Sequence, residues 1–327
     1  MGRELVDLFG RVHKDLRISV TDRCNFRCHY CMPEDGLDWL KREELLTFEE
    51  ITRITKILVD HYGINSVRLT GGEPTLRANL PDLISMLSQL PIEIALTTNG
   101  FNLERNAHLF VSSGLHRVNI SIDSLREERF KEITLRDEMK KVINGIDASI
   151  QAGLSPVKVN VVVMRGVNDD ELIDFAEFGR ERGVIIRFIE FMPLDADESW
   201  SNSDVVSLEE IFSHIDSVYP LEPVERSNAP ASRFRYKDGK GEIGIVASVT
   251  EKFCDSCDRI RITADGQFRN CLFSNEEFDL KKSLRSGMAD ERICEILEEA
   301  VLAKREGHGI GNVDFIRPTR SMSQIGG

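Results

Sequence analysis

Residues 16–33, LRISVTDRCNFRCHYCMP, decide how the chain is to be read. The stretch begins as a strand, because Leu16, Ile18 and Val20 are apolar while Arg17 and Ser19 are polar, the alternation of a strand with one buried face. It then becomes a loop carrying Cys24, Cys28 and Cys31 in the spacing Cys-x3-Cys-x2-Cys. Three thiolates on one loop can hold a cube of four irons while leaving the fourth iron without a protein ligand. An open position is what separates a catalytic metal site from a closed structural one. Structural zinc is the alternative, although such sites usually draw on two ligand pairs and a fourth Cys or His.

Outward from this stretch the chain repeats one unit, a short apolar strand followed by a longer segment with helical period. The alternation predicts strands at 16–20, 66–70, 92–97, 118–122, 158–163 and 185–189, with helices at about 48–62, 80–90, 103–113, 137–152 and 169–182. Alternating strands and helices imply a parallel sheet with right-handed crossovers. The strands are not uniformly apolar, as they would be between two helix layers. Arg17, Ser19, Arg68, Thr70, Ala95, Thr97, Asn119, Ser121, Lys158 and Asn160 share one parity, and Leu16, Ile18, Val67, Leu69, Ile94, Leu96, Val118, Ile120, Val159 and Val161 the other. One face is therefore covered by helices and the other lines a polar, cation-rich interior. The predicted fold is α/β, an incomplete six-stranded (β/α)6 barrel whose open side admits a large polar ligand. That ligand should be an anion, because buried unpaired charge costs several kcal/mol.

After about residue 195 the alternation stops, which predicts a barrel over 1–195 and a C-terminal extension over 196–327. PLEPVERSNAPAS, beginning at Pro220, reads as an irregular connection. Strands are predicted at 242–249, 259–263 and 268–272, the last two joined by a tight turn at Asp265-Gly266, then a helix at 290–304 and a loop-like end, RPTRSMSQIGG. Here lies a second set, Cys254, Cys257 and Cys271, spaced Cys-x2-Cys-x13-Cys. A zinc ribbon would need a fourth ligand, and the nearest later histidine, His308, is distant in sequence. Cys294 belongs to neither set and is expected to pack in a helix.

The 327 residues carry 42 Lys plus Arg against 55 Asp plus Glu, a formal net charge of −13, which disfavours a nucleic-acid or anionic-membrane binder. An apolar share of 41% and a charged share of 30% are those of a globular enzyme. The N-terminal segment lacks the apolar core of a secretory signal, and no stretch approaches the roughly 20 apolar residues of a membrane span, so a cytoplasmic protein is expected. Seven cysteines, an odd number, then read as metal or redox ligands rather than a disulfide framework.

The Cys-x3-Cys-x-aromatic-Cys loop, with Tyr30 as the aromatic, resembles the radical S-adenosylmethionine (SAM) superfamily. Thr70-Gly71-Gly72-Glu73-Pro74 is similar to that superfamily's Gly-Gly-Glu-Pro motif, which binds the amino group of the nucleoside cofactor. FCDSCDRIRIT, ADGQFRNCLF, VRLTGGEPTLR, LTTNG, KVNVVVMRGVND and IRFIEFMPL, with the terminal Gly326-Gly327, narrow the resemblance to the GTP-cyclising branch that opens molybdenum cofactor biosynthesis. It covers nearly the whole chain.

The resemblance implies a lyase with two 4Fe-4S clusters and SAM. Cleavage of SAM at the first cluster gives a 5′-deoxyadenosyl radical that abstracts the ribose 3′ hydrogen of GTP. C3′ then attacks guanine C8, giving (8S)-3′,8-cyclo-7,8-dihydroguanosine 5′-triphosphate. Residue by residue, it implies Cys24, Cys28 and Cys31 for the first cluster, and Cys254, Cys257 and Cys271 for the second, whose open iron takes the guanine. Tyr30, Gly72, Ser121 and Met192 fall on SAM positions, with Glu73 beside them. Arg17, Arg68, Thr97, Lys158, Arg259, Ile260 and Arg261 fall on GTP positions, and Arg187 joins them from the polar interior. No side chain is assigned as an acid or base. Ser66 departs from the pattern, since the family can carry a further lysine there. An external electron donor, hand-off of product to cyclic pyranopterin monophosphate synthase and homodimerisation are further implications. The tail SQIGG is expected to enter the site in extended form, about 3.3 Å per residue, its glycines passing where side chains would collide.

Overall fold

The computed structural model describes residues 3–33, 35–195, 200–225, 228–312 and 315–326. The barrel unit runs β1 (Asp15–Ser19), α1 (Phe48–Tyr62), β2 (Ser66–Thr70), α2 (Leu80–Leu87), β3 (Glu93–Thr98), α3 (Leu103–Ser112), β4 (Arg117–Ser121), α4 (Glu127–Thr134), α5 (Met139–Gln151), β5 (Val157–Val163), α6 (Leu172–Arg182) and β6 (Ile185–Glu190). Then come α7 (Leu208–Asp216), β7 (Leu221–Pro223), β8 (Ser232–Tyr236), β9 (Glu242–Val246), β10 (Arg259–Ile262), β11 (Gln267–Arg269), β12 (Phe278–Asp279), α8 (Leu280–Arg285), α9 (Asp290–Leu302) and α10 (Met322–Ile325). Local chemistry sets these limits. At the start of α1 the Thr47 hydroxyl accepts from the Glu50 amide at 3.2 Å and the Glu50 carboxylate accepts from the Thr47 amide at 2.8 Å, and Gly63 closes the helix in the left-handed region.

Strands β1 to β6 lie side by side in chain order and parallel, the partial barrel the alternation predicts. Both open edges are continued by the C-terminal segment: β10 pairs parallel with β1, and β9 pairs parallel with β6. Beyond them β11 and β12 on one side, and β8 and β7 on the other, run antiparallel. An unpaired strand edge exposes a row of N–H and C=O groups. The C-terminal half thus completes the sheet of the first rather than forming a layer of its own. The predicted parity holds: Leu16, Ile18, Val67, Leu69, Ile94, Leu96, Val118, Ile120, Val159 and Val161 are all buried under the helices. Each such side chain contributes about 1.5–3 kcal/mol on burial.

Some elements differ from the sequence reading. Helix α4 was not predicted because only Phe130 and Ile133 of EERFKEIT are apolar and buried, too few to show a period. Strand β7 is three residues long and ends at Pro223, so it carries no strand pattern. The tail is a helical turn instead of an extended strand, since Ser321 and Gln324 form a capping box and Ile325 is buried. Gly327 and residues 196–199, where the sequence places the domain boundary, lie outside the described residues. Among those described, no helix is long and apolar enough to cross a membrane.

Candidate active site between the two cysteine sets

The loops that follow β1, β2 and β3 interlock. Gly72 donates its amide to Thr21 O at 2.8 Å and Glu73 its amide to Arg23 O at 2.7 Å, docking the Gly-Gly-Glu-Pro turn on the cysteine loop. A Cβ on Gly71 would stand 2.4 Å from Thr21 O, and one on Gly72 2.3 Å from Asp22 O. Two glycines are needed because backbone meets backbone there. The Glu73 carboxylate accepts from the Thr75 amide (3.0 Å), the Thr75 and Thr98 hydroxyls (both 2.6 Å) and the Asn99 amide (2.7 Å). It is fully buried, next to Gly71 and Gly72, which line the chamber. Both its oxygens are taken by the loops, so it braces them. Asn99 reaches Cys24 Sγ at 3.9 Å and Asn25 at 2.9 Å, giving the LTTNG motif a part the sequence reading did not assign.

Both cysteine sets line one cavity enclosed by the sheet, together with Tyr30, Gly72, Ser121, Met192, Arg17, Arg68, Thr97, Arg187, Arg259 and Arg261. The fold thus brings the predicted cysteines and most of the residues expected to bind ligands around a common space. Two are elsewhere. The Ile260 side chain faces the helix-covered core, level with Leu16, so only its backbone belongs to the wall. Lys158 lies beyond the lining, where the charges of Arg187, Arg117 and Arg68 act on it.

Cys257 sits in the opposite electrostatic setting to the thiols of the first set, whereas burial raises Cys254 as it does them. Burial first, and then the Glu73 charge, pushes Cys24 up to about 11; burial and Cys24 push Cys31 up to about 12. Cys28 is raised by burial, Asp123 and its two sister thiols, so the three stand within electrostatic reach of one another. Asp123 itself is pushed up to about 6 by burial, even though it accepts from the Tyr30 hydroxyl at 2.6 Å and the Val162 amide at 2.8 Å. In the second set burial raises Cys257, but Arg259 and Lys304 outweigh it and hold the thiol at about 7. Arg259 Nε donates to Cys257 Sγ at 3.3 Å.

The donor sets fit iron-sulfur clusters: three soft thiols each, gathered on a shared cavity wall. His308, distant in sequence, does line the cavity. Its Nδ1 accepts from the Ile310 amide at 3.1 Å and its ring also bonds the Ser248 backbone, so it is not a spare fourth ligand.

The cations explain what fills the space. Arg17 stands level with Arg68 on one side and Arg261 on the other, and Asn160 level with Arg187. Arg17 Nε, Arg68 Nε, Arg259 Nη2 and Asn160 Oδ1 are buried with no hydrogen-bond partner. Burial first, and then neighbouring guanidinium groups, lowers Arg17 to about 9, while Arg187 falls to about 10 and Arg261 further. Asp15, 3.8 Å from Arg17, offsets only part of this charge. Arg117, missed because the predicted strand began at Val118, adds to it from β4 and bonds Ser66 Oγ at 3.4 Å and Glu93 at 2.9 Å. Such a cluster favours a bound anion that would pair with it. The tail arrives at the same wall: Arg261 Nη1 donates to Gly326 O at 2.6 Å, and Met322 is among the lining residues.

A parallel partial barrel with a three-cysteine loop after its first strand defines a radical SAM enzyme. The chain matches the Radical SAM superfamily over residues 18–179 and the Molybdenum Cofactor Synthesis C family over residues 184–310. It is similar in fold to Streptococcus suis SuiB bound to S-adenosylmethionine, with a TM-score of 0.63 at 13% identity over 90% of this chain and 69% of that one. A similar likeness, TM-score 0.59 at 14% identity, relates it to anSMEcpe with bound AdoMet, over 94% of this chain and 93% of that one.

Sequence relatives are more specific. The GTP 3′,8-cyclase of Corynebacterium glutamicum is 45% identical over 99% of this chain and 90% of its own length, and that of Streptomyces coelicolor 46% identical over 99% and 96%. The chain belongs to the GTP 3′,8-cyclase family of molybdenum cofactor biosynthesis. Membership of the radical SAM superfamily entails SAM and a 4Fe-4S cluster.

Proposed function

We propose that the chamber performs GTP 3′,8-cyclisation with SAM placed at the first cysteine set and GTP stretched from the second set to the strand cations. The observation that carries this reading is that both cysteine triplets line a single cavity together with Arg17, Arg68 and Arg259, each of which has a buried guanidinium nitrogen without a hydrogen-bond partner. Residues 1–195 would act as the SAM half and 196–327 as the half that closes over the nucleotide. Cys24, Cys28 and Cys31 would hold the first 4Fe-4S cluster, and Cys254, Cys257 and Cys271 a second. When bound, the first cluster supplies the electron that splits SAM into methionine and a 5′-deoxyadenosyl radical.

The chain's own residues act by placement. Tyr30, fixed through Asp123, would contact SAM with Gly72, Ser121 and Met192. Arg17, Arg68, Arg187 and Lys158 would take the triphosphate oxygens, where forked guanidinium groups make charge-assisted bonds. Thr97 would add a hydroxyl, and Arg259, Arg261 and the backbone of Ile260 would meet the guanine end beside the second set. Holding both ends of the nucleotide leaves the ribose fixed between them, which can lower a barrier by about 7–11 kcal/mol at best. The C3′ hydrogen leaves with the adenosyl group, the C3′–C8 bond forms, and one electron and one proton from an external donor complete the product. That product is an isomer of GTP. Anaerobic incubation with SAM, a reductant and GTP should give a nucleotide of unchanged mass and altered retention, together with 5′-deoxyadenosine. Formation of 5′-deoxyadenosine without any change in GTP would refute the reading.

A further inference from the structure

Behind the second cysteine set lies a buried polar cluster that the reaction above does not use. The loop from Leu5 to His13 folds back on itself, with Val6 bridged to Val12. It inserts Asp7, Arg11 and His13, all buried, beneath the cysteine loop. Arg11 Nε donates to Asp7 at 2.5 Å. Its Nη1 donates to the carbonyls of Cys254 (2.9 Å) and Glu306 (2.7 Å), and its Nη2 to that of Arg305 (2.7 Å). The same guanidinium therefore ties the second cysteine loop to the segment after α9.

Lys304, in that segment, is 4% exposed. An ammonium group has three N–H donors and no acceptor. The group at Nζ meets His13 Nε2 at 2.8 Å and Arg259 O at 3.0 Å. Its remaining contacts are to Cys257, at 3.4 Å to the carbonyl and 3.6 Å to Sγ. The His13 tautomer follows from its other nitrogen, since Nδ1 lies 3.2 Å from Leu5 O and can only donate there. Nε2 is then an acceptor for Lys304. With two donors fixed, the third is directed to Cys257, between its carbonyl and its sulfur. Among the described residues the first set has no equivalent ammonium: Arg27 directs Nη1 to the carbonyls of Cys24 and Phe26, and the Cys24 sulfur receives the neutral Phe26 and Asn99 amides.

We infer that Lys304, seated by His13, is a positioning residue that donates to the Cys257 sulfur and raises the reduction potential of the second 4Fe-4S cluster. The inference rests on the second cluster proposed above. Hydrogen bonds to cluster sulfurs and nearby positive charge both favour the reduced, more negative form. The couple concerned transfers one electron from the titrant to the cluster, with no change of ligands and no proton.

The test uses the full chain with Cys24, Cys28 and Cys31 replaced by Ser, so that only the second set can be loaded anaerobically with iron and sulfide. Dithionite titration followed by electron paramagnetic resonance gives its midpoint potential. Lys304→Met should lower the one-electron reduction equilibrium about tenfold, about 59 mV. Lys304→Arg, which keeps charge and donors, should remain near the parent, and His13→Leu should shift the same way as Lys304→Met by less. Lys304→Gln carries the same expectation as Lys304→Met and decides the matter if that variant takes up no iron. Equal potentials in the parent and the neutral variants would overturn the inference alone. A folded parent that binds no iron would overturn the second cluster and the inference together.

Discussion

Adding one methyl group at Gly326 tests whether the tail is part of the chamber. Gly326 adopts φ +88, where an L side chain costs roughly 1–2 kcal/mol. A Cβ there would stand 2.5 Å from Thr70 Oγ1 and 2.9 Å from Ser19 Cβ, both on the paired strands β1 and β2. The sheet cannot recede, so the tail must lift. Lifting breaks the 2.6 Å bond from Arg261 to Gly326 O, a charge-assisted contact of about 1.5–3 kcal/mol. The combined penalty of about 2.5–5 kcal/mol rivals what burial of Ile325 contributes, about 1.5–3 kcal/mol. Gly326→Ala, and deletion of Gly326 and Gly327, should therefore lower GTP cyclisation by about 10- to 100-fold while leaving the visible spectrum of the clusters and SAM binding unchanged. Because the two groups touch, Arg261→Gln combined with Gly326→Ala should cost less than the sum of the single changes. Cyclisation at the parental rate in the Gly326 variants would refute the reasoning.

Three other outcomes follow from the site. Cys24→Ser should abolish 5′-deoxyadenosine formation, whereas Cys271→Ser should retain SAM cleavage and lose GTP conversion; the two products, quantified in each variant, separate the roles. Arg17→Gln should weaken GTP binding by about 1.5–3 kcal/mol and guanosine binding by much less, as measured by calorimetry; equal losses would make Arg17 a wall residue. Burial, and then Arg187, Arg117 and Arg68, holds the Lys158 ammonium down to about 7, so at pH 8 it is mostly neutral until a polyanion arrives. GTP binding should then take up a proton at pH 8 and little at pH 6, and affinity should fall as pH rises through 7. Enthalpies in buffers of different ionisation heat, lost in Lys158→Met, check this.

Much of the site was legible because it rests on short-range patterns. The parity of β1 to β6 separates the cations of the cavity wall from the core, and both cysteine spacings are local. What was not legible depends on contacts between distant segments. That Glu73 ties the loops after β2 and β3 together, through four bonds to Thr75, Thr98 and Asn99, shows only in the fold. Nothing adjacent to Lys304 or His13 signals that they meet across 291 positions beside Cys257. Arg117 lay one residue outside the predicted strand, since the apolar pattern that marks a strand starts only at Val118. The joining of β9 and β10 to the barrel edges follows from the need to pair open strands, which sequence periodicity does not encode.

In the proposed function this cavity brings the SAM-derived radical to the ribose of GTP. GTP carrying deuterium at ribose C3′ tests it most directly, in anaerobic turnover with SAM and reductant and mass analysis of the 5′-deoxyadenosine released. The 5′-deoxyadenosine should gain the label and the nucleotide product should lose it. Unlabelled 5′-deoxyadenosine beside a product that retains its deuterium would contradict the account.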